Sequence, residues 1–491
     1  MMKKLPNPFA HLLLMAAFLF ADSAHAAEDD AIKLPELGSS ADQYMTPLDE
    51  VKLGKEFMMS VRRTGTVVDD SLLSEYIENL GGKLQKQSDA AGLTCHFFII
   101  DQPDINAFAG PGCHIGINSG LILATQSESE LASVVAHELA HITQKHLLRA
   151  FEAANEMSGK TAALLLASIL VGVAGSPDAG IAMATGVQAN AIQEQISFTR
   201  SNEKEADTVG IRILANSDFD PRAMPVFFER LTHASRLYES GIPEILRTHP
   251  VTTNRIADAL GRAEEYAYRQ YPGNLSYFLT REALRFRSFK ELELAVKHFA
   301  TGLKEGRHLN EEAYEYGYVL ALTANRDYDK ARVIADKLLK AHPEQPEYVL
   351  ASAQIFQDQG DHQQAIKLLD TYYSLMPDNY PIALRFVEFL TQAGKLDQAR
   401  TVALQSLELR SDDPVMVRRL SKIEEMDGHQ AESHRLLAEA YVIDGALRTA
   451  VNQLEIALNE AEKSDFYLVS KIESRLSKLR EVLKSSQADE L

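Results

Sequence analysis

Three residue types keep one period through the C-terminal half of this chain. Gly360, Gly394 and Gly428 stand 34 residues apart, as do Ala331, Ala365 and Ala399, and as do Pro343 and Pro377. A single compact core gives no such spacing, whereas a stack of equal helix pairs does. A small Ala inside a helix lets its neighbour approach, a Gly relieves the turn between two helices, and a Pro ends the second helix. The period therefore predicts an α-solenoid over residues 275–491. Ala295, 36 residues before Ala331, marks a less regular first unit. Further amphipathic helices are expected at 431–442 and 446–460, and 462–485, with its interspersed Lys and Glu, reads as a capping helix.

The repeat leaves a second architecture to be found upstream. At 491 residues the chain is far longer than one core of about 150 residues requires. Its 69 Asp and Glu against 50 Lys and Arg give a formal charge of −19, with no basic patch, so phosphate backbones are repelled and no nucleic-acid partner is expected. Trp is absent, which removes the best residue for a base-stacking or sugar-binding platform.

Lys3 and Lys4, the apolar run Leu12 to Phe20 and Ala24-His25-Ala26 read as a cleaved secretory signal over residues 1–26. The run is short of the ~20 residues that span a bilayer. A secreted chain meets an oxidising compartment, so Cys95 and Cys113 are free to pair; two small buried thiols fit the sequence equally well. Residues 27–45 are polar and read as a linker or surface arm. Order is expected from Thr46.

Over 46–274 the pattern is mixed α/β. Helices are expected at 48–61 and 71–88, and β-rich runs at 94–101 and 114–118 suggest a small antiparallel sheet beside helices. Residues 161–175 are apolar on all sides, too short for a comfortable membrane span, and fit either a buried or lid-like helical hairpin or a peripheral membrane contact.

His137-Glu138-Leu139-Ala140-His141 carries the chemistry. A capping box, Ser127-x-x-Glu130, opens a helix expected to run to Arg149. Histidines four apart share a helix face and can place two imidazoles on one zinc ion, with Glu138 beside them as general base. A catalytic zinc needs a third protein ligand. Glu203-Lys204-Glu205-Ala206-Asp207, on a helix expected from about Ser201, supplies it: Glu203 as ligand, with Asp207 on the same face to orient a ligating imidazole, and Glu205 pointing elsewhere. His146, nine residues from His137, projects half a turn off the metal face and is not expected to ligate.

These residues resemble the zinc endopeptidases that include the CAAX prenyl endopeptidases and the HtpX heat-shock protease, whose metal site joins His-Glu-x-x-His to a later Glu-x-x-Ala-Asp. The run Asn106-Ala107-Phe108-Ala109-Gly110-Pro111-Gly112 also looks like that family's segment beside the substrate cleft, although Cys113 stands where members commonly carry Gly. The 34-residue unit is similar to the tetratricopeptide repeat. With a signal peptide, no complete membrane span and such repeats, the chain resembles the family's periplasmic members that assist outer-membrane barrel assembly. The resemblance implies one Zn(2+) per subunit, a zincin-like domain at 46–274, and His249, in Thr248-His249-Pro250, as a fourth, gating ligand. From the residues alone His249 is a loop histidine. It further implies a periplasmic location, unfolded or misassembled outer-membrane proteins as clients, and docking on the barrel assembly machinery through the repeats. The alternative is a repeat-based scaffold or chaperone whose metal site is idle.

Overall fold

The structure, a computed structural model, describes residues 46–63, 66–149, 189–237, 243–462 and 465–488. The expected signal at 1–26, the arm at 27–45 and the apolar segment 161–175 lie outside the described residues. The chain divides into two compact units, one of residues up to Val68 with Ile77–Gly273, the other of Asp69–Tyr76 with the chain from Asn274 onward. The two together are a predominantly α chain.

The first unit holds helices α1 (Pro47–Arg63) and most of α2 (Ser71–Gln85), strands β1 (His96–Ile100), β2 (Ala107–Gly110) and β3 (His114–Asn118), then α3 (Ser119–Ala124), α4 (Glu128–Thr143), α5 (Ala189–Asn216), α6 (Ala223–Leu237), α7 (Glu244–Thr248) and α8 (Thr253–Glu264). The sheet has the order β1-β3-β2. It corrects the antiparallel expectation: β2 pairs antiparallel with β3, but β1 pairs parallel with β3, His96 opposite His114. The hairpin return after β2 turns β3 back along β1, and only the parallel register sets the residues that precede the two strands side by side. Those residues are Cys95 and Cys113, joined in a disulfide with their Cα atoms 4.6 Å apart. Cys113 has φ 57°, in the left-handed region that favours Gly, which explains why Gly suits the position. The cross-link holds it there.

Helix α4 is the centre of this unit. It packs on β2 and β3 along one side and on α5 and α6 along others, so Leu131, Ala132, Val135, Ala136, Leu139 and Ala140 are all fully buried. A helix covered on several sides takes its polar residues inside with it, and each then needs a partner.

The second unit is a run of antiparallel helix pairs, from α9 (Leu275–Arg287) and α10 (Leu292–Glu305) through α11 (Glu311–Ala324), α12 (Tyr328–Ala341), α13 (Pro346–Asp358), α14 (His362–Leu375), α15 (Tyr380–Gln392), α16 (Leu396–Leu409), α17 (Pro414–Met426), α18 (Gln430–Ile443) and α19 (Leu447–Glu460) to α20 (Phe466–Ala488). Gly360, Gly394 and Gly428 have φ 85°, 71° and 86°, each in the turn between paired helices, where an L side chain would be strained. Ala331, Ala365 and Ala399 have no exposed surface, each wedged where helices cross.

Candidate metal centre

The site is built from two helices and one short turn. Ser127 caps α4 by accepting from the Glu130 backbone N–H at 3.3 Å, while Glu130 Oε2 accepts from the Gln126 N–H at 2.6 Å, so the helix start is fixed one way. His137 and His141 then fall one above the other, their Nε2 atoms 3.1 Å apart. Helix α5 begins at Ala189 rather than near Ser201, which places Glu203 and Asp207 in mid-helix, where both are rigidly held. Gly210 sets how close α5 lies to α4. A Cβ there would stand 3.3 Å from the His137 backbone N and 3.0 Å from the Met224 methyl.

With the helices that close, Glu203 Oε2 lies 3.3 Å from His137 Nε2 and Glu203 Oε1 lies 3.5 Å from His141 Nε2. Asp207 Oδ1 lies 3.0 Å from His137 Nδ1, on the far side of the ring. His249 follows the single turn α7, and its N–H donates to Ile245 O at 2.8 Å. That turn is pinned to the strand side of the unit, because the Ile245 N–H donates to Ile105 O at 3.1 Å. His249 Nδ1 comes within 2.9 Å of Glu203 Oε1 and its Nε2 within 3.5 Å of Glu138 Oε1. One donor atom from each of His137, His141, Glu203 and His249 lies within 4.8 Å of the others.

His146 is a correction in part. The helix does not continue to it: α4 ends at Thr143, Lys145 turns into the left-handed region at φ 53°, and a new helical turn begins. The half-turn offset expected of an unbroken helix is lost, and His146 Nδ1 reaches His141 Nδ1 at 2.9 Å. It lies behind His141 and outside the four-donor group, held by Glu205 at 3.2 Å. Glu205 also accepts from Arg149 at 2.8 Å, away from the centre.

Sequence reasoning missed Arg255. Arg255 is 4% exposed; its guanidinium donates from Nε and Nη2 to the two oxygens of Asp207 at 2.8 Å each, and its Nη1 lies 2.8 Å from Glu203 Oε2. No pattern in the sequence singles it out, because its carboxylate partners stand on another helix.

The electrostatics call for a cation. Burial works against protonating His137, yet Asp207 and Glu203 override it and raise its pKa to about 10. Burial likewise opposes a charge on His249, and the Glu203 and Glu138 carboxylates win, raising it. Burial holds the pKa of His141 well down, leaving a neutral imidazole. Glu203, despite burial, is held well below the usual carboxylate range by His249 and His137. Two imidazole nitrogens 3.1 Å apart cannot both present lone pairs unless a proton or a metal ion sits with them. Glu138 is 1% exposed and its Oε1 has no hydrogen-bond partner, an orphaned carboxylate oxygen facing the same space. Nitrogen and carboxylate donors in this number fit a divalent ion. Next to Glu138 and His249 a small apolar recess is walled by Val134, Phe228, Leu231, Ile245, Leu246 and Val251.

Fold and site together define a metalloendopeptidase with a helical-repeat domain. The profile of peptidase family M48 matches residues 71–263, and a tetratricopeptide-repeat profile matches 356–423. The chain is 32% identical to the beta-barrel assembly-enhancing protease of Escherichia coli K12 over 96% of both chains, and 36% identical to that of Yersinia pestis over 63% of both. A mitochondrial metalloendopeptidase of Arabidopsis thaliana is 24% identical over 44% of this chain and 41% of its own. The chain belongs to the family of the beta-barrel assembly-enhancing proteases, within the metal-dependent peptidases of family M48. Among the described residues no helix is long and apolar enough to cross a membrane.

Proposed function

We propose that this chain is a periplasmic zinc endopeptidase that hydrolyses internal peptide bonds of misassembled outer-membrane proteins and also assists their assembly. The observation that carries the reading is the convergence of His137, His141, Glu203 and His249 on one small volume beside the orphaned Glu138 carboxylate. His137, His141 and Glu203 would hold the ion, one per subunit. Bound there, zinc would acidify a water and polarise the scissile carbonyl.

The remaining work falls to the chain's own side chains. Glu138 takes the proton of the attacking water and returns it to the leaving amine, so no covalent acyl intermediate is needed. Asp207 Oδ1, 3.0 Å from His137 Nδ1, holds that side of the ring and favours the tautomer that leaves Nε2 for the ion. His249 fills the position a substrate would need, so the resting enzyme is latent until that residue is displaced. β2, at the edge of the sheet, offers a strand for an extended substrate to pair with, which favours unfolded clients. The repeat unit is the surface for protein partners, with the barrel assembly machinery as the docking site and residues 1–26 as the export signal. The domain limits are 46–274 for the protease and 275–491 for the repeats.

Metal analysis of the purified mature protein with X-ray absorption at the metal edge tests this. One zinc per chain with nitrogen and oxygen neighbours is expected. A protein that binds no divalent ion, or binds it through other residues, overturns the reading.

A further inference from the structure

Arg255 touches more of the centre than any ligand needs from one neighbour. Three hydrogen bonds and an ion pair leave its guanidinium: two hydrogen bonds to Asp207, one from Nη1 to Pro250 O at 2.9 Å, and the ion pair with Glu203 Oε2 at 2.8 Å. Its cation lies 5.1 Å from the centre of the Phe228 ring, which fixes the plane of the fork. It belongs to α8, whose Thr252 cap accepts from the Arg255 N–H at 3.3 Å, so its backbone is anchored as well.

From this geometry we infer that Arg255 is a positioning residue for the metal centre: it presets the Glu203 carboxylate and the Asp207–His137 pair before metal arrives, and it ties the peptide after His249 to both. The inference rests on the metalloenzyme reading given above. By occupying Glu203 Oε2, Arg255 turns Oε1 toward His249 and His141. By gripping both oxygens of Asp207, it stops that carboxylate from rotating away from His137.

Charge alone does not explain the arrangement. Glu138, Glu203 and Asp207 are three buried carboxylates against one guanidinium, so a neutral replacement would deepen the negative field and draw a metal ion in, unless a carboxylate took up a proton. The two effects oppose each other. Arg255→Lys separates them, because Lys keeps the charge but cannot reproduce a planar fork with donors in three directions.

The test measures zinc affinity of the full-length mature chain by chelator competition for wild type, Arg255→Lys and Arg255→Gln, with far-UV circular dichroism and the melting temperature of the metal-free form recorded beside it. Loss of a residue that orients ligands weakens metal binding by roughly 10- to 100-fold. A drop of that size in Arg255→Lys with the fold retained is the expected result. Zinc binding as tight as wild type in both variants, or weakened binding that merely follows loss of helix, overturns the inference. Absence of zinc binding by wild type would instead overturn the metalloenzyme reading, so the two failures are distinct.

Discussion

His249 Nδ1 lies 2.9 Å from Glu203 Oε1, closer to that carboxylate than either histidine of α4. The contact lies at the end of a one-turn helix followed by Pro250, where movement requires only a few backbone torsions to change. Replacing His249 by Ala should raise basal cleavage of an unfolded protein several-fold while metal remains bound. Unchanged or lower cleavage per bound metal would count against latency.

Glu138→Gln keeps the shape of the side chain and removes the base. Zinc content should be unaffected and peptide hydrolysis should fall about 100-fold or more, the contribution of a positioned general base. Retained proteolysis would reject Glu138 in that role. Rescue of barrel assembly in cells by this variant would shift weight to a scaffold function of the repeats.

Gly210→Val places two methyls and a Cβ where α5 meets the His137 backbone. The helices must separate, at a cost of about 1–3 kcal/mol typical of overpacking. Equilibrium denaturation should report that loss, and zinc affinity should fall with it, since Glu203 and Asp207 ride on the same helix. A variant of unaltered stability and affinity would show that α4 and α5 have slack at this point.

Arg326 stands one repeat before Gly360 and has φ 64°, doing with a side chain what Gly does in later units. Arg326→Gly removes that strain but frees the unfolded chain, so a net gain of about 0.5–1 kcal/mol is expected. A lowered melting temperature would mean that the Arg side chain contributes more than its backbone costs.

Glu347 is buried in the repeat unit, and burial, reinforced by the like charges of Glu75 and Asp70, raises its pKa above the ordinary value. A carboxylate with a raised folded-state pKa favours folding below the unfolded pKa, and that advantage is lost as pH rises through the folded value. At neutral pH the ionised group is therefore a burden. Glu347→Gln should melt higher than wild type at pH 7, and the gap should narrow as pH falls toward the carboxyl range. A gap independent of pH would assign the effect to packing.

Much of this molecule was legible in one dimension. The 34-residue period named the solenoid because equal spacing of Gly, Ala and Pro records a packing rule that acts between neighbours in sequence. His137 and His141 could be placed on one face because a helix fixes residues four apart. The parallel pairing of β1 with β3 was not legible, since strand direction depends on which edge β2 takes. His146 stays out of the four-donor group as expected, but its half-turn offset is lost, because a break at Gln144–Lys145 lies in backbone torsions that the apolar pattern does not encode.

The sequence by itself determined the repeat, the spacing of the metal-binding motifs and the residue types that converge. Only the tertiary structure decided that Arg255 grips Glu203, Asp207 and the peptide after His249 at once. The physical reason is range. Periodicity reports contacts made within a few turns of chain, whereas a buried guanidinium finds its carboxylates wherever close packing of separate helices brings them.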